Sequence, residues 1–220
     1  MSSEIKLQVK DKQTSAHLAD GKGPGILVLH AWWGLKPFFK EFCDRLAAQG
    51  FTALAPDLYY GRVGTTIDEA KALNQEMEEN NVERMAATVK AAKDHLAALR
   101  PGKPIAVLGF SMGTWWSLVT ASSEKDVAAG VLFYGTGGSD PKDMQAKILG
   151  HYAETDQFES MENVRSMEAA MKAAGMDVTI HVYPKTEHWF MEEDRPEYNA
   201  AAAKLAWDRT VKFLKSSLQA

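Results

Sequence analysis

Cysteine is nearly absent from this chain, which has one, Cys43, among its 220 residues. A single thiol excludes an internal disulfide and a cysteine-rich metal cluster. Cys43 lies in a helical pattern between Phe42 and Leu46, so we expect a packed core thiol. The histidines also lack metal-ligand spacing, and we therefore predict no metal and no other cofactor.

Long apolar runs and an excess of positive charge are missing as well. No apolar run reaches the roughly 18 residues of a membrane span, and the opening Met-Ser-Ser-Glu-Ile-Lys has no apolar core of signal-peptide length. The net charge is -4 and the Lys and Arg residues are dispersed, which disfavours nucleic-acid and membrane partners. We expect a soluble cytoplasmic protein that acts on a small molecule.

The chain also has no repeat, low-complexity tract or linker that would divide it. With 45% hydrophobic residues it suits one compact domain, residues 1–220, without a separate lid domain. Apolar segments of strand length alternate with longer segments of helical period. This alternation predicts an α/β fold, with a mostly parallel twisted sheet and helices on both faces.

The predicted elements follow from this periodicity. The strands are placed at 4–10 and 15–19, as a possible antiparallel edge, and at 25–30, 51–56, 105–108, 129–134, 147–152 and 178–183. The helices are placed at about 38–47, at 67–80 and 82–99 with a break at Asn80-Asn81, after residue 113, at 161–174 and at 196–217.

The motif that identifies a reaction is Gly-Phe-Ser-Met-Gly, residues 109–113, between a buried strand and a helix. A nucleophile elbow requires this sharp strand-to-helix turn, which lifts the Ser111 hydroxyl above the sheet. Glycines two residues before and two after Ser111 let the neighbouring backbone approach without Cβ clashes. The motif predicts that Ser111 is a catalytic nucleophile.

A serine nucleophile needs a base to take its proton and an acid to orient that base. On this fold the order along the chain is Ser, then Asp or Glu, then His. Asp156 follows the strand 147–152 and His188 follows the strand 178–183, so we predict Asp156 as the orienting acid and His188 as the base. Glu154 and Glu187 compete for the acid role, Glu187 more weakly because it adjoins the histidine.

His30 ends the first buried strand, where such hydrolases place part of the oxyanion hole. We expect the backbone N-H groups of Trp32 and Met112 to be the oxyanion donors. For His30 itself, a hydrogen bond to its own loop is at least as good an explanation as a catalytic role. The remaining histidines have structural explanations on strands or a helix: His17, His95, His151 and His181.

These residues resemble the dienelactone hydrolase family of α/β hydrolases. The likeness rests on Gly-Phe-Ser-Met-Gly, Tyr-Ala-Glu-Thr-Asp-Gln-Phe, Glu-His-Trp-Phe, Ala-Pro-Asp-Leu-Tyr-Tyr-Gly, His-Ala-Trp-Trp-Gly-Leu and the segment 200–214, and so spans nearly the whole chain. The resemblance implies the α/β-hydrolase fold, the nucleophile at Ser111, the acid at Asp156, the base at His188, and oxyanion donors at Trp32 and Met112.

Departures from the family pattern bear on the substrate. The best-known members use a cysteine where this chain has Ser111, and a glutamate where it has Ala31. They bind a substrate carboxylate with arginines, one of which aligns with Glu192 here; Arg195 or Arg62 could substitute. An acidic residue at this position would repel a carboxylate, so we expect a serine esterase with a substrate other than dienelactone itself.

Large aromatic residues are concentrated in the loops and turns that build the expected site. Such surface on loops serves binding more often than folding. The expected substrate pocket comprises Trp33, Phe38, Tyr59, Trp115, Trp189 and Phe190. This composition suggests a small or medium apolar acyl or alcohol group.

The resulting prediction is a carboxylesterase-like serine hydrolase that cleaves an ester or lactone through an acyl-Ser111 intermediate. Two alternatives stay open: an amidase or peptidase with the same triad, and a non-catalytic binding protein on a hydrolase fold. A dinucleotide-binding oxidoreductase is disfavoured, since Gly135-Thr-Gly-Gly138 lacks the full glycine spacing and does not open a helix.

Overall fold

A computed structural model describes residues 2–137 and 139–218. It divides the chain into two compact units, residues 1–105 (unit 1) and residues 106–219 (unit 2), which we describe separately. The boundary falls at Ile105, the first residue of a strand. The assignment of all 220 residues to a single domain stays a prediction.

The strands of unit 1 are β1 (Ser2–Val9), β2 (Lys12–Asp20), β3 (Gly25–Leu29) and β4 (Thr52–Pro56). They lie in the order β1-β2-β4-β3. The pairs β1/β2 and β2/β4 are antiparallel, whereas β3 and β4 are parallel. The predicted antiparallel edge is therefore present, and β3 and β4, buried along their whole length, form the parallel part.

The helices of unit 1 are α1 (Pro37–Ala48) and α2 (Ile67–Leu99). The predicted break at Asn80-Asn81 is wrong, because α2 continues through it for 33 residues. An Asn inside a helix costs less than about 1 kcal/mol, and the Asn80 amide donates to the Glu76 carbonyl one turn earlier. A buried face on both sides of Asn80 outweighs that penalty: Ala70, Leu73, Met77, Met85, Val89, Ala92 and Leu96.

The strands of unit 2 are β5 (Ile105–Phe110), β6 (Val127–Phe133), β7 (Lys147–Ala153) and β8 (Val178–Tyr183), in that order across the sheet. The pairs β6/β7 and β7/β8 are parallel, as predicted for this half of the chain. Parallel strands bring their carboxyl ends to one edge, so the loops after β6, β7 and β8 emerge together.

The helices of unit 2 are α3 (Met112–Ser123), α4 (Met161–Ala173) and α5 (Ala200–Ser217). The last begins four residues after its predicted start at residue 196, because Asn199 caps it by accepting a hydrogen bond from the Ala202 N-H. In the described part of the chain, no helix has both the length and the apolar character needed to cross a membrane.

Candidate active site

The turn between β5 and α3, which we call the elbow (residues 109–113), holds Ser111 in a conformation that L-residues rarely adopt. Its φ is 50° and its ψ is -114°. The two glycines permit this turn, because a Cβ added at Gly109 would collide with the Gly113 carbonyl. A hydrogen bond from the Ser111 N-H to the Phe133 carbonyl, 2.9 Å, fixes the turn to the end of β6.

Ser111 also differs from the residues that begin the other long helices of unit 2. Ser160 and Asn199 each accept a backbone N-H through their side chains and so cap α4 and α5. The Ser111 side chain does not cap α3. Its Oγ instead lies 3.0 Å from Nε2 of His188, within hydrogen-bond distance.

His188 lies between Ser111 and Asp156. Its Nδ1 is 2.7 Å from Oδ2 of Asp156, and both side chains are only 3% exposed. The other oxygen of Asp156 accepts the backbone N-H groups of Phe158 and Glu159, each at 2.9 Å. The carboxylate is thus fixed by three hydrogen bonds. It favours the His188 tautomer with its proton on Nδ1, which leaves the lone pair on Nε2.

The competing acids do not contact His188 through any hydrogen bond that the described residues show. Glu154 is exposed, and its carboxylate accepts the backbone N-H of Lys185 at 2.9 Å. Glu187 is exposed as well. The structure therefore brings Ser111, His188 and Asp156 within hydrogen-bond distance of one another in a row, with Asp156 rather than Glu154 at the imidazole, and their catalytic roles stay predictions.

Among the described residues, three aromatic rings lie close to the His188 imidazole. The ring centroids of Tyr134, Phe158 and Trp189 lie 4.9, 5.1 and 4.9 Å from that of His188. Tyr134 and Trp189 are fully buried, whereas Phe158 is 38% exposed. Sequence reasoning named Trp189 but missed the other two. The available signal was position alone, since Tyr134 directly follows β6 and Phe158 follows Asp156 by two residues.

Glu192 is fully buried beside this cluster. Its Oε1 accepts a hydrogen bond of 2.8 Å from the Tyr134 hydroxyl. Burial, together with the charge of Glu192 and its hydrogen bond, raises the pKa of Tyr134 well above its ordinary value, so the phenol stays a donor. Arg195 pairs with Glu197, with Nε 3.3 Å from Oε2, and its guanidinium lies 4.7 Å from the Trp189 ring centroid.

Comparison with known proteins gives the affiliation of this chain. Residues 13–218 match the model of the dienelactone hydrolase family. The chain belongs to this family. Among its relatives, Protein usf of Aquifex pyrophilus is 34% identical over 230 residues, covering 99% of this chain and 100% of that one. An Escherichia coli K12 protein, named provisionally as a carboxymethylenebutenolidase, is 32% identical over 215 residues, covering 90% of this chain and 78% of that one.

A solved structure shows the same fold. A dienelactone hydrolase-like promiscuous phosphotriesterase from metagenomic libraries superposes with a TM-score of 0.84 at 21% identity, over 99% of this chain and 98% of that one. This dienelactone hydrolase family member is therefore a hydrolase with the α/β-hydrolase fold, as the sequence motifs predicted.

In unit 1 of this hydrolase, both ring nitrogens of His30 lie within hydrogen-bond distance of backbone groups. Its Nδ1 is 2.7 Å from the Ala31 carbonyl, and its Nε2 accepts the Leu58 N-H at 3.1 Å. Burial lowers the pKa of His30, so the ring is neutral with its proton on Nδ1. These bonds agree with the loop hydrogen bond considered for His30. The backbone N-H groups of Trp32, in the following turn, and of Met112, the first residue of α3, stay predicted oxyanion donors.

The predicted pocket residues divide by burial. Trp33, Tyr59, Trp189 and Phe190 are fully buried, and the Tyr59 hydroxyl donates to the Asn74 side chain at 2.8 Å. Phe38 is 8% exposed, and Trp115, one turn after Ser111 on α3, is 40% exposed. Trp115 is thus the most exposed member of the set, and the pocket as a set stays a prediction.

Arg62, a candidate for binding a substrate carboxylate, makes a bidentate ion pair with Glu76, at 2.5 and 2.6 Å. Within the described ranges, the family member has no cluster of three or more His, Cys, Asp or Glu that could hold a metal ion. The glycine run considered for dinucleotide binding includes Gly138, which lies outside the described residues.

Proposed function

We propose that this family member is a serine hydrolase that cleaves carboxylic esters or lactones through an acyl-Ser111 intermediate. The observation that carries the proposal is the continuous hydrogen-bonded row from Asp156 through His188 to Ser111. Nucleophile, base and orienting acid are each within hydrogen-bond distance of the next, which is the geometry that acyl transfer by a serine requires.

In the first half of the reaction, Nε2 of His188 takes the Ser111 proton while Oγ attacks the ester carbonyl carbon. The carbonyl oxygen becomes an oxyanion, which we assign to the backbone N-H groups of Trp32 and Met112. The C–O bond to the alcohol then breaks, and the alcohol leaves with the proton from His188. Asp156 stays ionised throughout and stabilises the imidazolium.

In the second half, a water molecule takes the place of the alcohol. His188 removes a proton from the water, the hydroxide attacks the acyl carbon, and the bond to Oγ breaks as Ser111 recovers its proton. The products are one carboxylic acid and one alcohol, or a single hydroxy acid from a lactone.

We propose a neutral substrate with a small or medium apolar group. Two ionic contacts support this choice: Arg195 pairs with Glu197, and Arg62 with Glu76, so each cation already has a carboxylate partner within the protein. Phe158 and Trp115, exposed by 38% and 40%, offer apolar surface close to His188 and to the elbow.

The test is hydrolysis of p-nitrophenyl esters from acetate to long acyl chains, with the corresponding anilides as amide substrates. We expect Ser111→Ala to lose about 10⁴-fold or more in kcat, and the chain-length optimum to give the pocket size. Ser122→Ala is the matched control, because Ser122 lies on the same helix and bonds the Val119 carbonyl.

Retention of ester hydrolysis in Ser111→Ala would contradict the proposal. If no ester is cleaved, a fluorophosphonate probe distinguishes a narrow substrate range from a protein without catalysis. Labelling at Ser111 supports the serine mechanism, and failure to label it rejects the mechanism.

A further inference from the structure

Two polar side chains are buried behind the proposed base without a part in ester cleavage. Tyr134 and Glu192 are both fully buried and share a hydrogen bond of 2.8 Å. Removing a carboxylate and a phenol from water is unfavourable unless the hydrogen bond between them is well made. Tyr134 also has a φ of 41°, which is rare for a residue with a side chain. Such strain is concentrated at functional sites.

Tyr134 and Glu192, which we call the Tyr134–Glu192 pair, are linked to His188 in two ways. The Tyr134 ring lies against the imidazole, with the centroids 4.9 Å apart and the planes at 56°. Glu192 follows His188 by four residues in a tight turn, in which the Glu192 N-H donates to the Trp189 carbonyl at 2.8 Å. Tyr134 therefore contacts the His188 ring and is also hydrogen-bonded to the short segment, residues 188–192, that carries this ring.

Asp156 alone does not fix the orientation of the ring. A single hydrogen bond at Nδ1 leaves the imidazole able to swing about that bond, which would move Nε2 away from the serine. A rigid wall against the ring face prevents this swing. Among the three rings around His188, Phe158 is partly exposed and Trp189 is its neighbour in the chain, whereas the hydroxyl of Tyr134 is tied back to the His188 segment.

We propose that the Tyr134–Glu192 pair is a positioning device for His188, one that keeps Nε2 directed at Ser111. The inference rests on the proposed serine hydrolase function. It assigns to Glu192 a role in the alignment of the base, in place of the repulsion of a substrate carboxylate that its position in the sequence predicts.

The experiment compares Tyr134→Phe with Tyr183→Phe. Each replacement removes one buried phenol hydroxyl of unit 2, and Tyr183 bonds His151 at 2.8 Å instead of contacting His188. We expect Tyr134→Phe to lower kcat about tenfold with KM changed by about twofold or less, because misalignment of a base acts on the chemical step. Tyr183→Phe should lose comparable thermal stability and keep kcat within about twofold.

A second pair of variants separates the hydrogen bond from bulk packing. Glu192→Gln retains an oxygen that accepts the Tyr134 hydroxyl, whereas Glu192→Ala removes it. We expect the alanine variant to lower kcat about as much as Tyr134→Phe, and the glutamine variant to fall clearly less. The downfield proton resonance of the His188–Asp156 hydrogen bond should shift or broaden in Tyr134→Phe and not in Tyr183→Phe.

Equal loss of kcat in Tyr134→Phe and Tyr183→Phe would overturn the inference, as would equal loss in the two Glu192 variants. These results are separable from failure of the proposed function. If Ser111→Ala is inactive while the two tyrosine variants match, the serine mechanism holds and the positioning role is rejected. If Ser111→Ala keeps its activity, the proposed function fails first, and the positioning role with it.

Discussion

His151 and His188 lie in the same unit, and each has both ring nitrogens within hydrogen-bond distance of a side chain. His151 contacts the Tyr183 hydroxyl at 2.8 Å and the Thr210 hydroxyl at 3.0 Å. His188 contacts a carboxylate, that of Asp156, at 2.7 Å and the Ser111 hydroxyl at 3.0 Å. The two imidazoles are thus equally well bonded, and they differ in the charge of one partner.

That one charge separates a structural histidine from a candidate base. Burial lowers the pKa of His151 well below its ordinary value, and the nearby charges of His181 and Arg209 lower it further. If His151 takes up a second proton, the positive charge has no counter-ion among its hydrogen-bond partners, because both are neutral hydroxyls. His188 has a carboxylate at Nδ1, which would compensate the positive charge formed in the proposed transfer of the serine proton to Nε2. A full set of hydrogen bonds is therefore not enough to indicate catalysis.

The largest expected effect comes from removing that charge. Asp156→Asn should lower kcat about 10⁴-fold, because the amide no longer stabilises the imidazolium and favours the wrong tautomer of His188. The measurement is steady-state ester hydrolysis, with circular dichroism to confirm folding. Glu154→Gln is the control on the same loop and should change kcat by about twofold or less, since Glu154 bonds Lys185. Near-normal turnover in Asp156→Asn would instead move the acid role to Glu154.

A smaller effect is expected in the pH dependence of the unfolding free energy. Since the pKa of His151 is lowered in the folded state, the unfolded chain binds more protons below about pH 6.5. The contribution of His151 is fully present above that pH and is lost as the pH falls. His151→Gln should therefore remove up to about 1.4 kcal/mol per pH unit from the slope of unfolding free energy between pH 6.5 and 5.

Urea unfolding at several pH values measures this slope. His30 is also buried with a lowered pKa, and it is unchanged in the variant, so the difference between the two proteins isolates His151. An identical slope in wild type and variant would mean that His151 takes up its proton to the same extent in the folded and unfolded chains, which contradicts a lowered pKa.

The smallest expected effect tests one bond of the structural histidine. Thr210→Val keeps the shape of a buried side chain and leaves Nε2 of His151 without the hydroxyl, so we expect a loss of about 1 kcal/mol in unfolding free energy. The kcat of the folded enzyme should not change. Thr179→Val, at an exposed position of β8, is the matched control. A drop in kcat for Thr210→Val would show that the two histidine sites are not independent.

The sequence supported prediction of the row Ser111, Asp156 and His188 because each residue follows a recognisable strand in a fixed order. It did not reveal the partners of His151 or of Tyr134. Those hydrogen bonds join residues 59 and 58 positions apart, and no periodicity records which buried side chains meet across such separations.

Errors in the elements had local causes. Two consecutive asparagines suggested a break in α2, but the stripe of buried residues along the helix outweighed their weak propensity. The start of α5 was placed too early because the alternation of polar and apolar residues does not distinguish a capped helix from the turns before it. The sequence signal for the start of α5 is Asn199, a residue type that commonly caps helices.

At the elbow, two local sources of stability are absent: a favourable backbone conformation at Ser111 and a side-chain cap for α3. Ser111 occupies a backbone region that glycine would tolerate better, and its hydroxyl leaves the start of α3 without the cap that serine gives to α4. Neither the turn nor the helix depends on that hydroxyl. The hydroxyl that we propose as the nucleophile could therefore be exchanged for another small nucleophilic group with the turn and α3 unchanged.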